Sequence, residues 1–248
     1  MIRLKDHCCC GGLGSDGYAA VLGAGAVSGS DIEPQPDYPY PFEQRDAMEE
    51  LAEGPPEGTH AHHWSWPCQI HTTAKHLRTA QGGVSKYEDL LTPGLVGLRS
   101  ARWRDTPWIV ENVEDNQGKV RAIMAPREGE SLITLCGSMF GLQVQRHRLF
   151  LANFPLRQPD PTGKGVYGAL GCRHDTFPLD PVSGKPRPWG VWHVKGDNVP
   201  SGGRTALDAE HGRRVMGSHR TLPWAKLKEG FPPAYTSWVA ADLLRAVL

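Results

Sequence analysis

The sequence predicts an α/β fold, in which short apolar strands alternate with helices along the chain. Three observations indicate it. An apolar N-terminal segment leads through a cysteine- and glycine-rich turn into a helix-like segment, strand-like and helix-like patterns alternate after it, and the chain has 248 residues. A chain of this length buries its core as one large domain, or as one domain with a small appendage.

The first three predicted elements are a strand, a helix and a second strand. Residues 1–4 are apolar apart from Arg3, residues 8–17 form the turn, and residues 18–25 carry apolar side chains at helical density. The next apolar segment ends in Asp31, an acid about 20 residues beyond the turn. Such a start is typical of a site for a nucleoside-containing cofactor, because the turn admits the cofactor and the carboxylate binds its ribose hydroxyls.

The later elements continue the alternation of strand and helix. They are, in chain order, a helix ending at Ala52, a helix within 88–102, a strand at 107–113, short strands or turns at 134–140 and 148–151, and a helix at 238–248. The last helix has apolar side chains at helical spacing, so we expect it to pack back on the sheet.

Composition excludes several classes of protein. The 29 glycines and 21 prolines make much of the chain turn and loop. No apolar run is long enough for a transmembrane helix, and the N-terminus lacks the apolar stretch of a signal peptide, so we expect a cytoplasmic protein. Charged residues are balanced, at 27 basic and 27 acidic, which argues against a disordered polyelectrolyte.

The six cysteines predict a reducing compartment and no disulfide framework. Three of them are consecutive, at 8–10, and the others are scattered. Histidines crowd around Cys68, which makes zinc an alternative. Structural zinc sites show two separated ligand pairs, and the sequence has no C-x-x-C pair, so we expect no metal.

The zero net charge hides an asymmetry along the chain. Residues 1–60 carry 3 Lys/Arg against 11 Asp/Glu, whereas residues 151–230 carry 12 against 7. The basic region is rich in glycine and proline and contains Trp189 and Trp192. It suits a polyanion with stackable bases, although a solvated surface with a small aromatic core explains the same residues.

The sharpest candidate site is Cys68. Pro67 fixes the backbone before it, so the end of a strand presents the thiol rigidly, as a nucleophile requires. A lone cysteine is more often buried and inert, and its partners decide between the two interpretations. Glu111 lies on a predicted strand, and Arg146 and Arg148 precede another. A thiol, a carboxyl group and arginines together suit attack on an electron-poor ring, with acid assistance and group transfer.

Five motifs occur in order within residues 4–151. They are the segment from Asp6 to Tyr18 with its glycines, Ser30-Asp31-Ile32, Pro67-Cys68-Gln69, Glu111-Asn112-Val113 and Gln145-Arg146-His147-Arg148. Together they resemble the DNA cytosine-5 methyltransferases, in particular the compact enzymes of bacteriophages and prophages. A weaker resemblance covers the C-terminal segment from Phe231 to Thr236.

The resemblance implies a Rossmann-like S-adenosylmethionine-dependent methyltransferase sheet with a small, loop-rich target-recognition region. We expect the catalytic domain at 1–151, the recognition region at 152–215, and a C-terminal segment that packs back on the catalytic domain at 216–248. The partner is double-stranded DNA, from which the target cytosine is flipped out, because its ring is out of reach inside the stack. We further expect a monomer in a bacterial or phage-infected cell, and a context of restriction-modification or self-protection of phage DNA.

The resemblance also assigns the catalytic roles. Cys68, as a thiolate, attacks C6 of the cytosine, and Glu111 donates to N3, which makes C5 nucleophilic. C5 takes the methyl group of S-adenosylmethionine, a base removes the C5 proton, and Cys68 leaves by elimination. Arg148 matches the family arginine that holds the cytosine O2, and Arg146 its neighbour in the motif.

The binding residues are carried over in the same way. Those implied for the cofactor are Asp6, Cys8, Gly11, Gly12, Gly14, Gly17, Asp31 at the ribose, Ile32 on the adenine, Asp46 near the adenine amine, and Pro67. Those implied for DNA are Gln69, Thr72, Lys185, Arg187, Lys195 and Arg204, with a solvated surface as the alternative for the four basic residues.

The sequence departs from the family pattern at several positions. Cys8 stands where phenylalanine is usual, Cys10 replaces a turn glycine, Trp66 replaces a proline, and Val144 replaces a glutamine. Two other functions therefore stay open. One is a related phage enzyme that modifies free deoxycytidylate or transfers a group other than methyl. The other is a catalytically silent DNA-binding protein, against which the intact Cys68 argues.

Overall fold

The computed structural model describes residues 2–68, 88–115, 118–142, 144, 146–159, 192–193, 204–205 and 208–248. Seven strands in these ranges form one sheet: β1 (Leu4–His7), β2 (Val27–Asp31), β3 (Phe42–Gln44), β4 (Ala61–Trp64), β5 (Trp108–Val113), β6 (Ser131–Leu135) and β7 (Arg148–Ala152). Their order is β3-β2-β1-β4-β5-β7-β6. All neighbours pair in parallel except β7, which is antiparallel to both β5 and β6. A small second sheet pairs β8 (Trp192–His193) with β9 (Arg204–Thr205).

Helices connect and cover the strands. They are α1 (Leu13–Leu22), α2 (Ala47–Glu53), α3 (Leu91–Leu98), α4 (Lys119–Ile123), α5 (Ala209–Val215), α6 (Trp224–Glu229) and α7 (Pro233–Val247), with short 3₁₀ helices at Ala24–Ala26 and Gly137–Phe140. Asp46 caps the N-terminus of α2, and Asp208 caps that of α5. Two prolines start α7, where a missing N–H removes no helical hydrogen bond.

The sheet separates two hydrophobic cores. On one face, α1 and α7 pack over Leu4, Ile109 and Phe150. On the other face, α2 and α3 pack over Trp64 and Val110. Because successive side chains of a strand point to opposite faces, this alternation divides the buried strand residues between the two cores.

Helices α1 and α7 approach each other closely, and glycine makes this contact possible. A Cβ built on Gly17 would overlap the carbonyl oxygen of Pro233 and the hydroxyl of Thr236. That hydroxyl donates to the Gly14 carbonyl at 2.7 Å, and Ser237 donates to the Gly17 carbonyl at 3.0 Å. The C-terminal helix is therefore fixed directly to the helix that follows the N-terminal turn.

The predicted α/β class is confirmed, and several element bounds move. The first strand runs over Leu4–His7, so the predicted strand at 1–4 is wrong in its limits. Lys5 and His7 are polar but buried, because Glu50 of α2 accepts from each at 2.8 Å. Residues 5–7 look like part of a turn in the sequence, but pairing with residues far along the chain places them in a strand.

The first and last helices also begin earlier than predicted. Helix α1 starts at Leu13, inside the glycine turn, because Gly12 adopts a left-handed conformation with φ of 80°. Helix α7 starts at Pro233. Among the helices of the described ranges, none is long and apolar enough to cross a membrane. The same ranges hold no group of three His, Cys, Asp or Glu side chains arranged for a metal ion.

We expect Gly17→Ala to lower the free energy of unfolding by about 3 kcal/mol, because the added methyl group meets the backbone of α7, which cannot rotate away. Urea denaturation followed by circular dichroism measures this. The matched control is Gly25→Ala, where an added Cβ finds no atom within 4 Å. Equal midpoints for the two variants would show that the helix contact is looser than described.

Candidate active site

The candidate site lies where the parallel strands β1, β2, β4 and β5 end. Carboxyl ends of parallel strands meet at one edge of a sheet, so the segments that follow them share one crevice. These segments are the turn after β1, the residues after β2 and the segment 65–68 after β4. Strand β7 runs antiparallel to β5 and begins with Arg148 at the same edge, opposite Val113.

The nucleophile candidate sits on the segment that follows β4. Cys68 is half-buried, and Trp66, two residues earlier, is fully buried against Trp64 at 5.3 Å between ring centroids. A Cβ on Gly94 of α3 would overlap the Trp66 ring, so this ring fills the core on the α3 side. The Asn112 side chain donates to the Trp66 carbonyl at 3.2 Å. The strand that carries Glu-Asn-Val therefore holds the backbone of the cysteine segment.

Glu111 and Arg148 form a buried ion pair across neighbouring strands. Arg148 Nε lies 2.8 Å from Glu111 Oε1, and both side chains are largely shielded from solvent. Burial raises the pKa of Glu111, whereas the charge of Arg148 lowers it and burial prevails. A carboxyl group with a raised pKa, held by an arginine, is suited to give and take a proton.

The same arginines act on the thiol. Burial raises the pKa of Cys68, and the charges of Arg148 and Arg146 oppose the rise, while the charge of Glu111 adds to it. The site thus brings together Cys68, Glu111 and Arg148, three of the four residues to which the sequence assigned catalysis. Protonation of Glu111 removes its contribution to the raised pKa of Cys68, while that of burial stays.

Arg146, the fourth, is directed at the C-terminal segment. Its Nη2 donates to the Lys228 carbonyl at 2.5 Å, and its own carbonyl accepts from the Tyr235 hydroxyl at 2.7 Å. Burial, and then the charge of Arg148, lower the pKa of Arg146. Arg146 therefore links the pair of strands β5 and β7 to α6 and α7, and its positive charge acts on Cys68 from that position.

His147, between the two arginines, is fastened to the end of β5. Its Nδ1 lies 3.4 Å from Glu114 Oε2, and Arg121 pairs with the same carboxylate. Burial alone would lower the pKa of His147, but hydrogen bonds to Cys136 and Glu114 outweigh it and raise the pKa to about 9. The Arg148 guanidinium donates to the His147 carbonyl at 2.8 Å. The sequence analysis missed this connection, whose partners are distant along the chain.

The turn after β1 has an uncommon backbone. Cys8 and Cys10 adopt positive φ values of 57° and 47°, which non-glycine residues rarely do. The Cys10 amide donates to Asp31 at 3.0 Å, and the Cys10 thiol donates to Glu229 of α6 at 3.1 Å. The turn is therefore fixed on one side to the acid at the end of β2 and on the other to the C-terminal segment.

The end of β2 carries a carboxylate, that of Asp31, and the apolar side chain of Ile32 at the crevice. Asp31 accepts from the Cys10 and Glu33 amides at 3.0 Å each. Ile32 is 59% exposed, one of few large apolar side chains so exposed in the described ranges. Asp46 caps α2 through Oδ1, which accepts from the Met48 amide at 2.7 Å.

The glycines and Asp6 of the first motif have structural partners. Gly11 lies against Lys226, Gly12 against Tyr38, Gly14 against Phe231, and Gly17 against Pro233. Asp6 is buried, accepts from Ser15, and pairs with His63 of β4 at 2.8 Å. The assignment of these residues and of Pro67 and Cys8 to a cofactor stays a prediction.

Arg220 closes the turn from the C-terminal side. Its Nε lies 2.8 Å from Asp16, its Nη1 donates to the Asp37 carbonyl at 3.2 Å, and its Nη2 donates to the Gly11 carbonyl. Lys226 donates to Gln35 at 2.8 Å. No sequence motif marked these side chains, because they come from a segment about 200 residues away.

Most residues predicted to contact DNA lie outside the described ranges; they are Gln69, Thr72, Lys185, Arg187 and Lys195. Arg204 falls on β9, opposite Trp192 in the small second sheet. The division into a recognition region at 152–215 and its contacts with DNA remain predictions.

Known proteins share this architecture. Three solved structures align with 100% of this chain, and the alignment covers 99% of each of their chains. They are the S. pombe Dnmt2 methyltransferase (13% identity, TM-score 0.54), a DNA modification methyltransferase encoded within an E. coli prophage (10% identity, TM-score 0.55) and the Entamoeba histolytica methyltransferase EhMeth (10% identity, TM-score 0.53). The chain has the Rossmann-like methyltransferase fold. This confirms the fold that the five motifs imply, and the names agree with the family resemblance. Neither the family models nor the curated sequences contain a match to the chain.

In this methyltransferase fold we expect Arg148→Met to raise the pKa of the Cys68 thiol further, because the largest opposing positive charge is lost. Alkylation of Cys68 by iodoacetamide near neutral pH should slow by about three- to tenfold. Peptide mass mapping separates Cys68 from the other cysteines. Arg121→Met, which removes the partner of Glu114 instead, is the control. An unchanged rate in Arg148→Met would rule out this electrostatic link.

We expect the stability of the protein to depend on His147 in a defined pH window. Its pKa is about 9 in the folded protein against an ordinary 6.5, so its contribution is complete below about pH 6.5 and is lost as pH rises through about 9. The free energy of unfolding should fall over that window by about 3 kcal/mol in the parent. His147→Gln should flatten the curve, and His60→Gln, at an exposed position, should not.

Proposed function

We propose that the protein is an S-adenosylmethionine-dependent DNA cytosine-5 methyltransferase. The observation that carries the proposal is the ion pair of Arg148 with Glu111, at 2.8 Å, beside a thiol whose pKa responds to both charges. The nucleophile follows β4, the acid lies on β5 and the arginine begins β7 of a methyltransferase fold. The five ordered motifs and the prophage DNA modification methyltransferase among the structural relatives support the same conclusion.

The crevice fits the cofactor in its chemistry. Asp31 presents a carboxylate where a ribose would lie, and the exposed Ile32 beside it offers an apolar surface for an adenine. Gly12 and Cys10, with positive φ, make the turn between β1 and α1 tight. When bound, S-adenosylmethionine supplies an electrophilic methyl group to C5 of the cytosine.

The residues of the chain perform the remaining steps. The Cys68 sulfur bonds to C6 of the flipped-out base, and the Glu111 carboxyl gives its proton to N3, so the ring gains electron density at C5 without a net negative charge. Arg148 holds Glu111 and faces the oxygen O2. After C5 is methylated, a base takes its proton, the C–H electrons re-form the C5–C6 double bond as the Cys68–C6 bond breaks, and N3 returns its proton to Glu111.

Double-stranded DNA is the proposed substrate. The basic region at 151–230 suits a polyanion such as DNA, and the acidic region at 1–60 includes the residues proposed to bind the cofactor. A base in a duplex must leave the stack before a sulfur atom can reach its C6. The two alternatives are an enzyme that acts on the free nucleotide and a silent DNA-binding protein. The experiments below distinguish both from the proposed function.

We expect the parent protein to transfer radiolabelled methyl from S-adenosylmethionine to mixed-sequence duplex DNA, with the label in 5-methylcytosine. Cys68→Ala should abolish the transfer, and Glu111→Gln should reduce it by about two orders of magnitude or more, because the N3 proton is lost. Cys172→Ala, at a cysteine with no assigned role, is the control. Label in free deoxycytidylate alone would favour the nucleotide enzyme.

Duplex DNA with 5-fluorocytosine tests the covalent step separately. Fluorine at C5 cannot leave as the proton does, so the Cys68–C6 bond persists and the complex survives denaturation. We expect this complex with the parent and not with Cys68→Ala. Binding of DNA by both proteins, without label and without adduct, would show that the chain is a binding protein and not a methyltransferase.

A further inference from the structure

A row of buried polar side chains extends from Glu111 into the core between the sheet and α1. Asp6, on β1, pairs in register with His63 on β4, and His63 pairs with Ile109 on β5. Glu111 lies two residues beyond Ile109, so its side chain points to the same face as those of His63 and Asp6. From strand spacing and rise, the Cβ atoms of His63 and Glu111 are roughly 8 Å apart, within reach of two long side chains.

His63 is anchored on one nitrogen and open on the other. Its Nδ1 lies 2.8 Å from Asp6 Oδ1, and a carboxylate only accepts, so Nδ1 carries the proton. Its Nε2 is fully buried and has no hydrogen-bond partner among the described residues. A buried, unpartnered nitrogen costs about 1–3 kcal/mol. His62 Nε2, on the opposite face, is unpartnered too, so the position of His63 on the face of Glu111 is what distinguishes it.

The surroundings of His63 make Glu111 its proton-exchange partner. Phe150 and Phe231 flank the ring with centroids at 6.3 and 6.1 Å, and these supply no polar atom. The titratable groups that face it are Asp6, Tyr18 of α1, and Glu111, with Arg148 beyond Glu111. Charge on His63 acts on the Glu111 carboxyl, second only to that of Arg148 among the neighbouring charges.

We propose that His63, oriented by Asp6, is a positioning residue that acts through Glu111 and shares with it the proton that Glu111 gives to the base. This deepens the proposed function and rests on it. Asp6 was assigned to the cofactor by resemblance, and here it has a different task. His63 itself does not touch the substrate, because its side chain is fully buried.

The proton balance is simple. One proton resides either on the Glu111 carboxyl, with His63 neutral, or on His63 Nε2, with Glu111 ionised. When the proton resides on His63 Nε2, it first passes to Glu111, so that Nε2–H breaks as O–H forms and both groups become neutral. Glu111 O–H then breaks as N3–H forms, which leaves Glu111 ionised and His63 neutral. The return of the proton from N3 reverses both transfers. His63 Nδ1 keeps its proton and its hydrogen bond to Asp6 throughout.

The variant that tests this is His63→Asn. The asparagine amide can still donate to Asp6, as Nδ1 does, but it has no counterpart of Nε2 and cannot hold a proton. Two coupled sites keep their shared proton to a higher pH than Glu111 alone. We therefore expect kcat for methyl transfer to fall about tenfold or more with little change in KM, and the alkaline limb of the kcat profile to move to lower pH.

The matched control is His62→Asn. His62 precedes His63 on β4 and is equally buried, but its side chain points to the opposite face. Its Nδ1 is hydrogen-bonded to His7 Nε2 at 2.9 Å. It should lower the unfolding midpoint without moving the pH profile. A kcat profile in His63→Asn that matches the parent, or one that moves equally in His62→Asn, would overturn the proposal.

A second measurement uses neither cofactor nor DNA. In protein labelled with ¹⁵N-histidine, the His63 resonances are identified by their loss in His63→Asn. We expect Glu111→Gln to shift the Nε2 resonance of His63 and to alter its titration, and Glu130→Gln, remote from the site, to leave both unchanged. An unaffected Nε2 overturns the proposal even if methyl transfer is confirmed. A shifted Nε2 in a protein that transfers no methyl group would instead reject the proposed function and retain the coupling.

Discussion

The structure depends on the pairing of ionisable side chains that the fold buries at the carboxyl ends of its strands. An unpaired charge in a protein interior costs several kcal/mol, so each such group here has a partner on a neighbouring strand. Glu111 has Arg148, and Asp6 has His63, at 2.8 Å in both cases. Because each partner comes from a different strand, the charges also fix which strands lie side by side.

The two faces of the sheet use this rule differently. On the α2 face, Glu50 accepts from Lys5, His7 and Ser30, and these bonds outweigh burial and lower its pKa to about 2. His7 is bonded on both ring nitrogens. His62, the partner of His7 in that network, has a buried Nε2 without a hydrogen-bond partner among the described residues, as His63 has on the α1 face. Incomplete pairing therefore occurs on both faces of the sheet. The two histidines differ in their neighbours, because only His63 lies on the face of the Glu111 side chain, on whose pKa its charge acts.

The sequence predicts those features of the structure that are determined by patterns of neighbouring residues. The apolar run at 107–113 identifies β5, and the ordered motifs identify Cys68, Glu111 and Arg148, which the structure brings to one edge. Strand β1 was misplaced because polar residues 5–7 are buried only through partners on other elements. His63 was missed for the same reason, since Asp6 lies 57 residues away and pairs with it through the strand register. Long-range pairing of polar residues leaves no periodicity in a sequence.

The turn after β1 shows how the C-terminal segment compensates for an unusual sequence. A non-glycine residue at positive φ costs about 1–3 kcal/mol, and Cys8 and Cys10 both adopt such values. Hydrogen bonds from Cys10 to Asp31 and Glu229, and from Arg220 to Gly11, hold the turn in place against that cost. Glu229 and Arg220 belong to the segment that α7 fixes on α1. The shape of the crevice is therefore set jointly by the first motif and by a segment that no motif of the catalytic half marks.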